Sequence, residues 1–400
     1  MPKDLTLSKR TASFQESVIR EMTRLGDETG SVNLSQGLPD FDPPPEVLAA
    51  AIAAIQDGQN QYTFPFGDPD FRQAIADKAA RFNGIAADPE SGVTVTCGVS
   101  EAIMSAMLAL TEPGDEVVIL EPWYENYVPD CRMAGVTPRF VTLHEPAYEL
   151  DPGELRKAFN SKTRLVMINT PHNPTGKVFS RRELEEIARL CQEFGVIAVT
   201  DEIYEHILYD GSIHVSIGSL DGMHDRTVTI SGLGKSYALT GWRVGWALAH
   251  PRLTALIRKV HDYLTICAPA PFQAAGIVAL GLPESYYAGM RRQYVEKRSI
   301  LLSALDAVGM PYRKPEGAYY VMAGFGSLEW DHQAYARPGW TVDRSFAEYI
   351  AREIGVAVVP GSSFYSSQSQ GAAHVRLNFA KKDTTMKEAA LRLMKLRGRI

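Results

Sequence analysis

A lysine and an arginine eight residues apart have the sequence context that most strongly indicates a catalytic site. Lys235 and Arg243 lie among glycines and aromatic residues, directly after the apolar stretch 227–231. That stretch predicts a short buried strand, and a lysine delivered by such a strand is partly removed from water. Desolvation disfavours the ammonium ion, so the amine becomes a nucleophile for a carbonyl group. Because Arg243 is a fixed cation suited to a phosphate, the pair predicts a carbonyl ligand that carries a phosphate.

Two other interpretations of this lysine have to be weighed. Gly234-Lys235-Ser236 looks like the end of a nucleotide-binding phosphate loop, but that motif requires a glycine six residues before the lysine, where Thr229 stands. A solvated surface lysine is the remaining alternative. The choice depends on whether other segments supply groups for the same ligand.

Asp201 directly follows the apolar run 195–200, which predicts a second buried strand. A buried carboxylate needs a partner, because an unpaired buried charge is costly. A protonated pyridine nitrogen is one such partner, and the ion pair makes the ring an electron sink. Capping of the segment that follows is the alternative role. With Lys235 and Arg243, this aspartate indicates pyridoxal phosphate (PLP) as the ligand.

An asparagine and a tyrosine offer polar groups to the same ligand. Asn173 lies in an Asn-Pro-Thr-Gly segment after the predicted strand 164–169, and Tyr204 lies three residues beyond Asp201. The amide of Asn173 and the hydroxyl of Tyr204 can each donate to a phenolate oxygen. Asn-Pro-Thr-Gly is also an ordinary turn sequence, so this segment carries weight only in combination.

A glycine-containing turn and an arginine in an apolar segment complete the set. Gly98, Val99 and Ser100 precede the helical run 101–110, and the free N–H groups of a helix start bind phosphate, although any strand-to-helix turn can look alike. Arg376 lies within an otherwise apolar strand-like segment. Its planar fork fits a substrate carboxylate, with a structural ion pair as the alternative.

These residues fall at the ends of predicted strands, so a sheet is needed to bring them together. Short runs of Val, Ile and Leu alternate with helical stretches such as 180–194, where Ser180 and Glu183 are placed for a capping box. The alternation predicts an α/β fold with a mainly parallel sheet and helices on both of its faces. In such sheets ligands bind beyond the C-terminal ends of the strands.

The pattern changes after about residue 281, to a long helical run and shorter strand-like pieces. A proline-rich segment marks another boundary at residues 39–45. We therefore expect a large PLP-binding domain of residues 46–282. A smaller, discontinuous α+β domain is expected from residues 1–45 and 283–400.

Composition and charge exclude several classes of function. The chain has 400 residues, 45% of them hydrophobic and 22% charged, and its net charge of −6 argues against nucleic acid as the main partner. The four cysteines are scattered, which predicts reduced thiols and neither a disulfide framework nor a metal site. Residues 1–10 lack the apolar core of a signal peptide, and no run of about 18 apolar residues could span a membrane. We expect a cytoplasmic protein that binds small molecules, without membrane association.

Taken together, these segments resemble the class I/II aminotransferases, the aspartate-aminotransferase-like enzymes of PLP fold type I. The chain looks most like the kynurenine, glutamine–phenylpyruvate and aromatic aminotransferases. The resemblance runs from residues 33–40 to Arg376 and is carried by the lysine segment, by residues 171–176 and by Asp201-Glu-Ile-Tyr204. It implies a homodimer with shared active sites. It also implies a ping-pong transfer of an amino group between an L-amino acid and a 2-oxo acid.

The resemblance implies catalytic roles for residues around the cofactor ring. Lys235 would bind the cofactor covalently and later move a proton, and Asp201 would pair with the pyridine nitrogen. Asn173 and Tyr204 would hydrogen-bond the phenolate oxygen, and Asn173 would also border the substrate. Arg376 and the backbone of Gly37 would hold the substrate α-carboxylate.

Other implied residues hold the phosphate and the ring faces. Arg243 and the turn of Gly98, Val99 and Ser100 would bind the phosphate. Tyr124 would stack on the ring, with Trp123 as the alternative. Tyr62 would reach the cofactor phosphate of the neighbouring subunit.

One feature departs from the pattern of these relatives. Many of them carry a serine or threonine one or three residues before the lysine, where this chain has Gly234 and Gly232. Ser231, one step further back, is the candidate hydroxyl for the phosphate site.

The substrate side chain and the reaction type are less well determined. Phe41, Tyr62 and Tyr124 favour an aromatic or neutral amino acid, and we find no arginine whose context marks a receptor for a second carboxylate. A PLP-dependent lyase, cyclase, oxidase or hydroxylase is the alternative, since it shares the first half of the mechanism. A PLP-binding transcription regulator is disfavoured by the acidic charge and by the roughly 30 residues before the first motif, which are too few for a DNA-binding domain.

Overall fold

The computed structural model describes residue 14 and residues 16–397, in which helices alternate with short strands along most of the chain. Its α-helices are α1 (Val18–Thr29), α2 (Pro45–Gln56), α3 (Pro69–Lys78), α4 (Val99–Leu110), α5 (Tyr127–Ala134), α6 (Pro152–Ala158), α7 (Arg181–Phe194), α8 (Pro251–Thr265), α9 (Ala270–Leu280), α10 (Glu284–Ala307), α11 (His332–Tyr335), α12 (Val342–Tyr349) and α13 (Asp383–Leu393). Its strands are β1 (Val32–Asn33), β2 (Val93–Thr96), β3 (Glu116–Glu121), β4 (Thr137–His144), β5 (Glu149–Leu150), β6 (Thr163–Asn169), β7 (Ile197–Asp201), β8 (Thr227–Gly232), β9 (Gly245–Ala249), β10 (Tyr320–Gly324), β11 (Val356–Ala357), β12 (Val359–Pro360) and β13 (His374–Asn378).

An eight-stranded sheet in the order β2-β9-β8-β7-β6-β3-β4-β5 lies at the centre of the fold. The run from β8 to β4 is parallel, whereas β9 is antiparallel to both of its neighbours and β5 is antiparallel to β4. The inner strands consist largely of buried Val, Ile and Leu, as expected for a sheet covered on both faces. The predicted α/β fold with a mainly parallel sheet is therefore confirmed.

Local sequence signals explain where the covering helices begin and end. In α7 the side chain of Ser180 accepts from the N–H of Glu183, whose carboxylate accepts from the N–H of Ser180, which is the capping box that the sequence predicts. The helix ends at Gly195, which adopts a left-handed conformation with φ of 70°. Its buried residues recur every three or four positions and pack on the sheet: Leu184, Ile187, Ala188, Leu190 and Cys191.

Two smaller sheets are built from the C-terminal part of the chain and the segment before α2. Strands β10, β13 and β12 form an antiparallel sheet, and β1 pairs in parallel with β11. The N-terminal residues of the described part therefore join the C-terminal elements, while the eight-stranded sheet lies within residues 93–249. The domain division after residues 45 and 282 stays a prediction.

Residues 34–38 form a strap that connects these small sheets to the end of the large sheet. The N–H of Asn378 donates to the carbonyl oxygen of Leu34, and the amide of Asn378 donates to that of Gln36. The ammonium group of Lys381 lies 2.9 Å from the carbonyl oxygen of Leu38. The strap is thus fixed by residues more than 340 positions later in the chain.

The structure also bears on two other sequence predictions. All four cysteines lie within the described residues and are free thiols. None of the helices in residues 16–397 combines the length and hydropathy that a bilayer crossing requires. Residues 1–10, for which the sequence predicts no signal peptide, lie outside the described part of the chain.

Candidate active site

The C-terminal ends of adjacent parallel strands open into a cavity of about 420 Å³. Register places Asn169, the last residue of β6, beside Asp201, the last residue of β7, and both line the cavity. The predicted site residues that line it are Gly37, Gly98, Val99, Ser100, Tyr124, Asn173, Asp201, Tyr204, Lys235, Arg243 and Arg376. Ser231 and Tyr62 lie elsewhere. Eleven of the thirteen predicted residues therefore meet in one place, drawn from seven separate segments.

Lys235 lies just beyond β8 and is half-buried in the wall of the cavity. Its Nζ donates to the carbonyl oxygen of Gly37 in the strap at 2.8 Å. Burial lowers the pKa of Lys235 to about 8; Asp201 opposes this shift, and the cations of Arg243 and Arg376 add to it. The lysine therefore reaches its neutral, nucleophilic form at a much lower pH than a solvated lysine does.

Asp201 is a buried carboxylate without an ion pair among the described residues. Its oxygens accept hydrogen bonds from the hydroxyl of Tyr127 at 2.9 Å and from the N–H of Ile203 at 3.2 Å. Burial raises the pKa of Asp201 to about 6, although both hydrogen bonds favour the charged form. At neutral pH the site therefore holds an anion that a cationic ring nitrogen would neutralise.

Two hydrogen-bond donors lie near this carboxylate. The hydroxyl of Tyr204 lies 3.0 Å from that of Tyr320. Burial raises the pKa of Tyr204 well above its ordinary value, which keeps the phenol protonated and able to donate. The carbonyl oxygen of Asn173 accepts from Arg376 at 2.9 Å, which leaves the amino group of its amide to donate to a ligand.

The start of α4 and Arg243 form a cradle for an anion. Gly98 is the N-cap of this helix, makes no side-chain cap and has a φ of 83°. A Cβ atom at this position would lie 2.5 Å from Nη2 of Arg243, so the guanidinium group packs directly against the glycine backbone. Arg243 itself is in the left-handed region with φ of 55°. Free helix N–H groups beside a guanidinium group suit a phosphate.

Arg376 is completely buried at the other side of the cavity. Its Nη1 donates to Asn173, and its Nη2 donates to the carbonyl oxygen of Ser35 in the strap at 2.6 Å. Its Nε is buried without a hydrogen-bond partner among the described residues. The guanidinium group lies 4.4 Å from the centre of the Tyr320 ring, which holds its plane. A buried, uncompensated cation of this kind suits a carboxylate ligand.

The two aromatic candidates for ring stacking have different surroundings. Tyr124 lines the cavity and packs edge-on against Tyr127 at 5.7 Å between ring centres. Trp123 does not line it, and stacks instead on Phe140 at 4.8 Å. Of the two side chains, only that of Tyr124 is placed to contact a ligand in the cavity.

Ser231 is not part of the cavity wall, in contrast to the sequence prediction. Its hydroxyl donates to Oε1 of Glu205 at 2.6 Å, behind the strand ends. Glu205 also forms an ion pair with Lys78. Burial alone would raise the pKa of Glu205, but the charges of Lys78 and two histidines outweigh this effect and lower that pKa to about 2. The serine is therefore engaged in a buried charge network, and the sequence could not show which side of β8 its hydroxyl faces.

Tyr62 lies outside the cavity on the surface of the chain. Its side chain is 76% exposed and lines a separate open depression with Phe64 and Ile277. Within one chain it contacts none of the other predicted site residues that line the cavity.

Sequence reasoning missed several residues that the cavity brings into contact. Tyr127 bonds Asp201, the amide of Asn169 donates to the carbonyl oxygen of Asp201 at 2.8 Å, and Tyr320 bonds Tyr204. Arg20 of α1 lines the rim. Asn169 could have been predicted, because it lies at the end of a predicted strand. The others lie in segments whose local pattern gives no sign of the cavity.

The groups present fit pyridoxal phosphate. The cradle of Gly98 and Arg243 offers N–H groups and a cation for the phosphate, and the buried Asp201 lacks the cationic partner that a protonated pyridine nitrogen supplies. Lys235 supplies an amine of lowered pKa for the aldehyde. The mainly parallel sheet and this site together place the protein in the class of PLP-dependent enzymes of fold type I.

The chain belongs to the aminotransferase class I and II family, which it matches over residues 29–393. It is 37% identical to the N-succinyldiaminopimelate aminotransferase of Mycobacterium tuberculosis, with a TM-score of 0.92 over 98% of this chain and 100% of that one. It is 34% identical to a kynurenine–oxoglutarate transaminase of Dictyostelium discoideum, over 98% of this chain and 96% of the relative. YbdL of Escherichia coli, for which a methionine aminotransferase function is described, is 32% identical with a TM-score of 0.90, over 98% of this chain and 100% of that one.

These similarities confirm the reaction that the sequence predicts. The protein is a PLP-dependent aminotransferase that moves an amino group between an amino acid and a 2-oxo acid. The alternative of a lyase, cyclase, oxidase or hydroxylase is not favoured, since these relatives and solved structures are aminotransferases.

Proposed function

We propose that this aminotransferase works with Lys235 as its proton carrier and Asp201 as the partner of the ring nitrogen. The observation that carries the proposal is that both residues, together with Arg376, line a single cavity at the strand ends. PLP, when bound, supplies the carbonyl carbon that accepts the amino group and a ring that withdraws electrons from the substrate.

The cavity provides for the cofactor at one end and for the substrate carboxylate at the other. Arg243 and the turn of Gly98, Val99 and Ser100 would hold the phosphate of the cofactor. The substrate α-carboxylate binds Arg376, whose orientation is fixed by Asn173 and by Ser35 in the strap. Since Arg376 and Lys235 both bond the strap, the carboxylate anchor and the proton carrier keep a fixed spacing.

Lys235 moves the proton between the substrate Cα and the cofactor. Its pKa near 8 suits this task at physiological pH, because the amine can give up and accept a proton with little cost. Asp201 stays ionised above pH 6 and holds positive charge on the ring nitrogen. Tyr204 and Asn173 would donate to the phenolate oxygen of the bound cofactor, and Tyr124 would cover one face of its ring.

The amino donor is an aromatic or neutral L-amino acid. Tyr124, Tyr320, Leu38 and Ile19 contribute aromatic and apolar surface to the cavity wall, which suits an apolar side chain, and polar residues such as Gln36, Glu125 and Asn126 complete the wall. The kynurenine transaminase and the methionine aminotransferase that resemble this chain act on amino acids of this class. The N-succinyldiaminopimelate aminotransferase acts on a substrate that carries further carboxylates.

The active unit is a homodimer in the cytoplasm. Helix α2 buries Val47, Ala51 and Ala54, yet an adjacent face, about 100° around the helix, is also apolar: Leu48, Ile52 and Ile55 recur there at helical spacing and are exposed. Tyr62 and Phe64, a few residues beyond α2, are 76% and 60% exposed. A second copy that covers this face would bring each Tyr62 toward the phosphate of its partner.

The dimer is tested by a charge placed in the apolar face. Ile52→Glu should shift the protein to monomers in analytical ultracentrifugation and lower turnover. Leu391→Glu, an exposed leucine on α13, is the matched control and should leave the dimer intact. A dimer that persists in Ile52→Glu would place the interface elsewhere.

The reaction is tested by a half-reaction screen with single amino acids. Purified protein with bound PLP is mixed with each amino acid, and absorbance reports conversion of the cofactor to its aminated form. Aromatic and neutral amino acids should convert it, and Lys235→Ala should abolish both the lysine-bound absorbance band and the conversion. Lys259→Ala, an exposed lysine on α8, should behave as the parent. Release of ammonia or hydrogen peroxide without conversion would contradict the proposal.

A further inference from the structure

His261 is a completely buried histidine that lies outside the cavity, near the end of α8. Its two ring nitrogens face two different segments of the chain. Nε2 lies 2.7 Å from the carbonyl oxygen of Pro65, and Nδ1 lies 3.0 Å from each carboxylate oxygen of Glu101. Because a carbonyl oxygen can only accept a hydrogen bond, Nε2 carries a proton and donates it to Pro65.

The other partners of Glu101 bear on the protonation of Nδ1. Oε2 of Glu101 accepts from the backbone N–H of Cys97 at 3.0 Å, and Oε1 accepts from the hydroxyl of Ser105 at 2.5 Å. Both oxygens are therefore acceptors, which favours an ionised carboxylate and a proton on Nδ1. Burial alone would lower the pKa of His261, but the hydrogen bond and charge of Glu101, a backbone carbonyl and the charge of Asp262 outweigh it and raise that pKa. His261 is thus an imidazolium ion that donates in two directions.

On one side, the imidazolium acts on the phosphate cradle through Glu101. Glu101 lies in the first turn of α4, and the N–H that it holds belongs to Cys97, the residue directly before Gly98. Gly98 supplies no side-chain cap to this helix. A carboxylate so close to a phosphate turn would repel the phosphate if it were unpaired. His261 both neutralises this carboxylate and fixes its position.

On the other side, the imidazolium holds the segment that carries Tyr62. Pro65, which accepts from Nε2, lies three residues after Tyr62. The ring of Phe66 packs against Arg258, one turn before His261 on α8, with its centre 3.8 Å from the guanidinium carbon. Helix α8 therefore contacts this segment at two points. Because the side chain of Tyr62 is 76% exposed, its position depends on these neighbouring contacts.

We propose that His261 is a positioning residue for the cofactor phosphate at both active sites of the dimer. Through Glu101 it orders the phosphate turn of its own subunit, and through Pro65 it orders the Tyr62 segment that reaches the neighbouring site. The inference rests on the proposed function, which places the phosphate at the turn of Gly98 and Tyr62 at the second subunit. Since His261 does not line the cavity, it acts only through these two contacts.

The experiment compares the binding of PLP with that of pyridoxal, which lacks the phosphate. Each is titrated into the cofactor-free protein. His261→Leu should raise the Kd of PLP about tenfold, as expected for loss of one charged hydrogen bond, and should change the Kd of pyridoxal by less than about twofold. Adding Glu101→Gln to His261→Leu removes the unpaired carboxylate but keeps an acceptor for the N–H of Cys97, so this double variant should regain part of the PLP affinity.

The contact with Pro65 is tested by a double-mutant cycle with Tyr62. Tyr62→Phe removes the hydroxyl that would reach the phosphate, and it should weaken PLP binding less in the His261→Leu background than in the parent. Independent effects of the two changes would contradict the role of His261 in placing Tyr62.

Proton NMR of the cofactor-free protein gives a readout that needs no ligand. An imidazolium ion with two buried N–H···O hydrogen bonds contributes two low-field ring N–H signals, and both should be missing in His261→Leu. Loss of only one signal would show a neutral ring and would overturn the inference.

Two further variants separate this role from other causes. Leu393→Ala opens a cavity in the core at α13, away from both segments, and should leave the ratio of the two Kd values unchanged although it lowers stability. Equal losses for PLP and pyridoxal in His261→Leu would overturn the inference. Arg243→Gln should weaken PLP binding and not pyridoxal binding. If it changed neither, the proposed phosphate site would be refuted, and the inference about His261 with it.

Discussion

The burial of Asp201 makes the stability of the cofactor-free protein depend on pH, and the hydrogen bond from Tyr127 moderates that dependence. Asp201 has a folded pKa of about 6 against an ordinary value of 3.8, so its contribution to stability is present below pH 3.8 and is lost as pH rises to about 6. The difference of about two pKa units corresponds to about 3 kcal/mol. Tyr127 limits this loss, because its hydroxyl, 2.9 Å away, favours the carboxylate.

Tyr127→Phe removes that donor without changing the shape of the side chain greatly. A net hydrogen bond to a charged group contributes about 1.5–3 kcal/mol, whereas one to a neutral group contributes about 1 kcal/mol. We expect the pKa of Asp201 to rise from about 6 toward about 7. The destabilisation should therefore be larger at pH 8, where Asp201 is ionised, than at pH 5, by about 1.4 kcal/mol.

Urea denaturation of the cofactor-free protein at pH 5 and pH 8 measures this difference. Tyr209→Phe is the matched control, since its buried hydroxyl donates at 2.5 Å to the carbonyl oxygen of Ala318, which does not titrate. The control should lose the same free energy at both pH values. If Tyr127→Phe also showed equal losses at pH 5 and pH 8, the argument that Tyr127 stabilises the charged form of Asp201 would be refuted.

Three further predictions concern the cofactor and the substrate. Gly98→Ala should weaken PLP binding about tenfold in titrations of the cofactor-free protein, because its Cβ would lie 2.5 Å from Arg243. Gly114→Ala is the control and should leave PLP binding unchanged, since Gly114 also has a positive φ but no atom lies near its Cβ position. Arg376→Lys loses the planar fork and should raise KM for all amino acids about tenfold or more, with unchanged PLP affinity in the same titration. The rate at which PLP attaches to Lys235 should rise with pH and level off above about 8, as followed by absorbance; a rate still rising toward pH 10 would contradict the lowered pKa of this amine.

Much of the fold and site was predictable, because strand ends carry a local signal. Lys235, Asp201 and Asn173 each follow a run of apolar residues, and parallel strands bring such ends together. The helix start at Ser180 and the strand that carries Arg376 are equally local. These features need only the periodicity and capping that neighbouring residues determine.

The features that were missed depend on contacts between distant segments. Tyr127 is an ordinary tyrosine in a short helix until the folded chain brings its hydroxyl to Asp201 at the end of β7. Arg20 looks like one of several charges on an amphipathic helix, and only the tertiary structure places it at the cavity. The sequence predicts Ser231 in the phosphate site, whereas its hydroxyl faces Glu205. The face on which a strand residue lies depends on the register of the strand in the sheet, which the sequence does not show.

The strap of residues 34–38 has a consequence for synthesis of the protein on the ribosome. Ser35 is held by Arg376, which lies 341 residues later, so the substrate anchor and the strap cannot meet until the intervening residues have been made. At about 5–20 residues per second, the strap waits roughly 20–70 s for its partner. A nascent chain that already contains Lys235 and Asp201 still lacks the strap contacts of Arg376 and Asn378. The complete cavity therefore forms only after Arg376 has been synthesised, and ribosome-bound chains that end before β13 should not hold a substrate carboxylate.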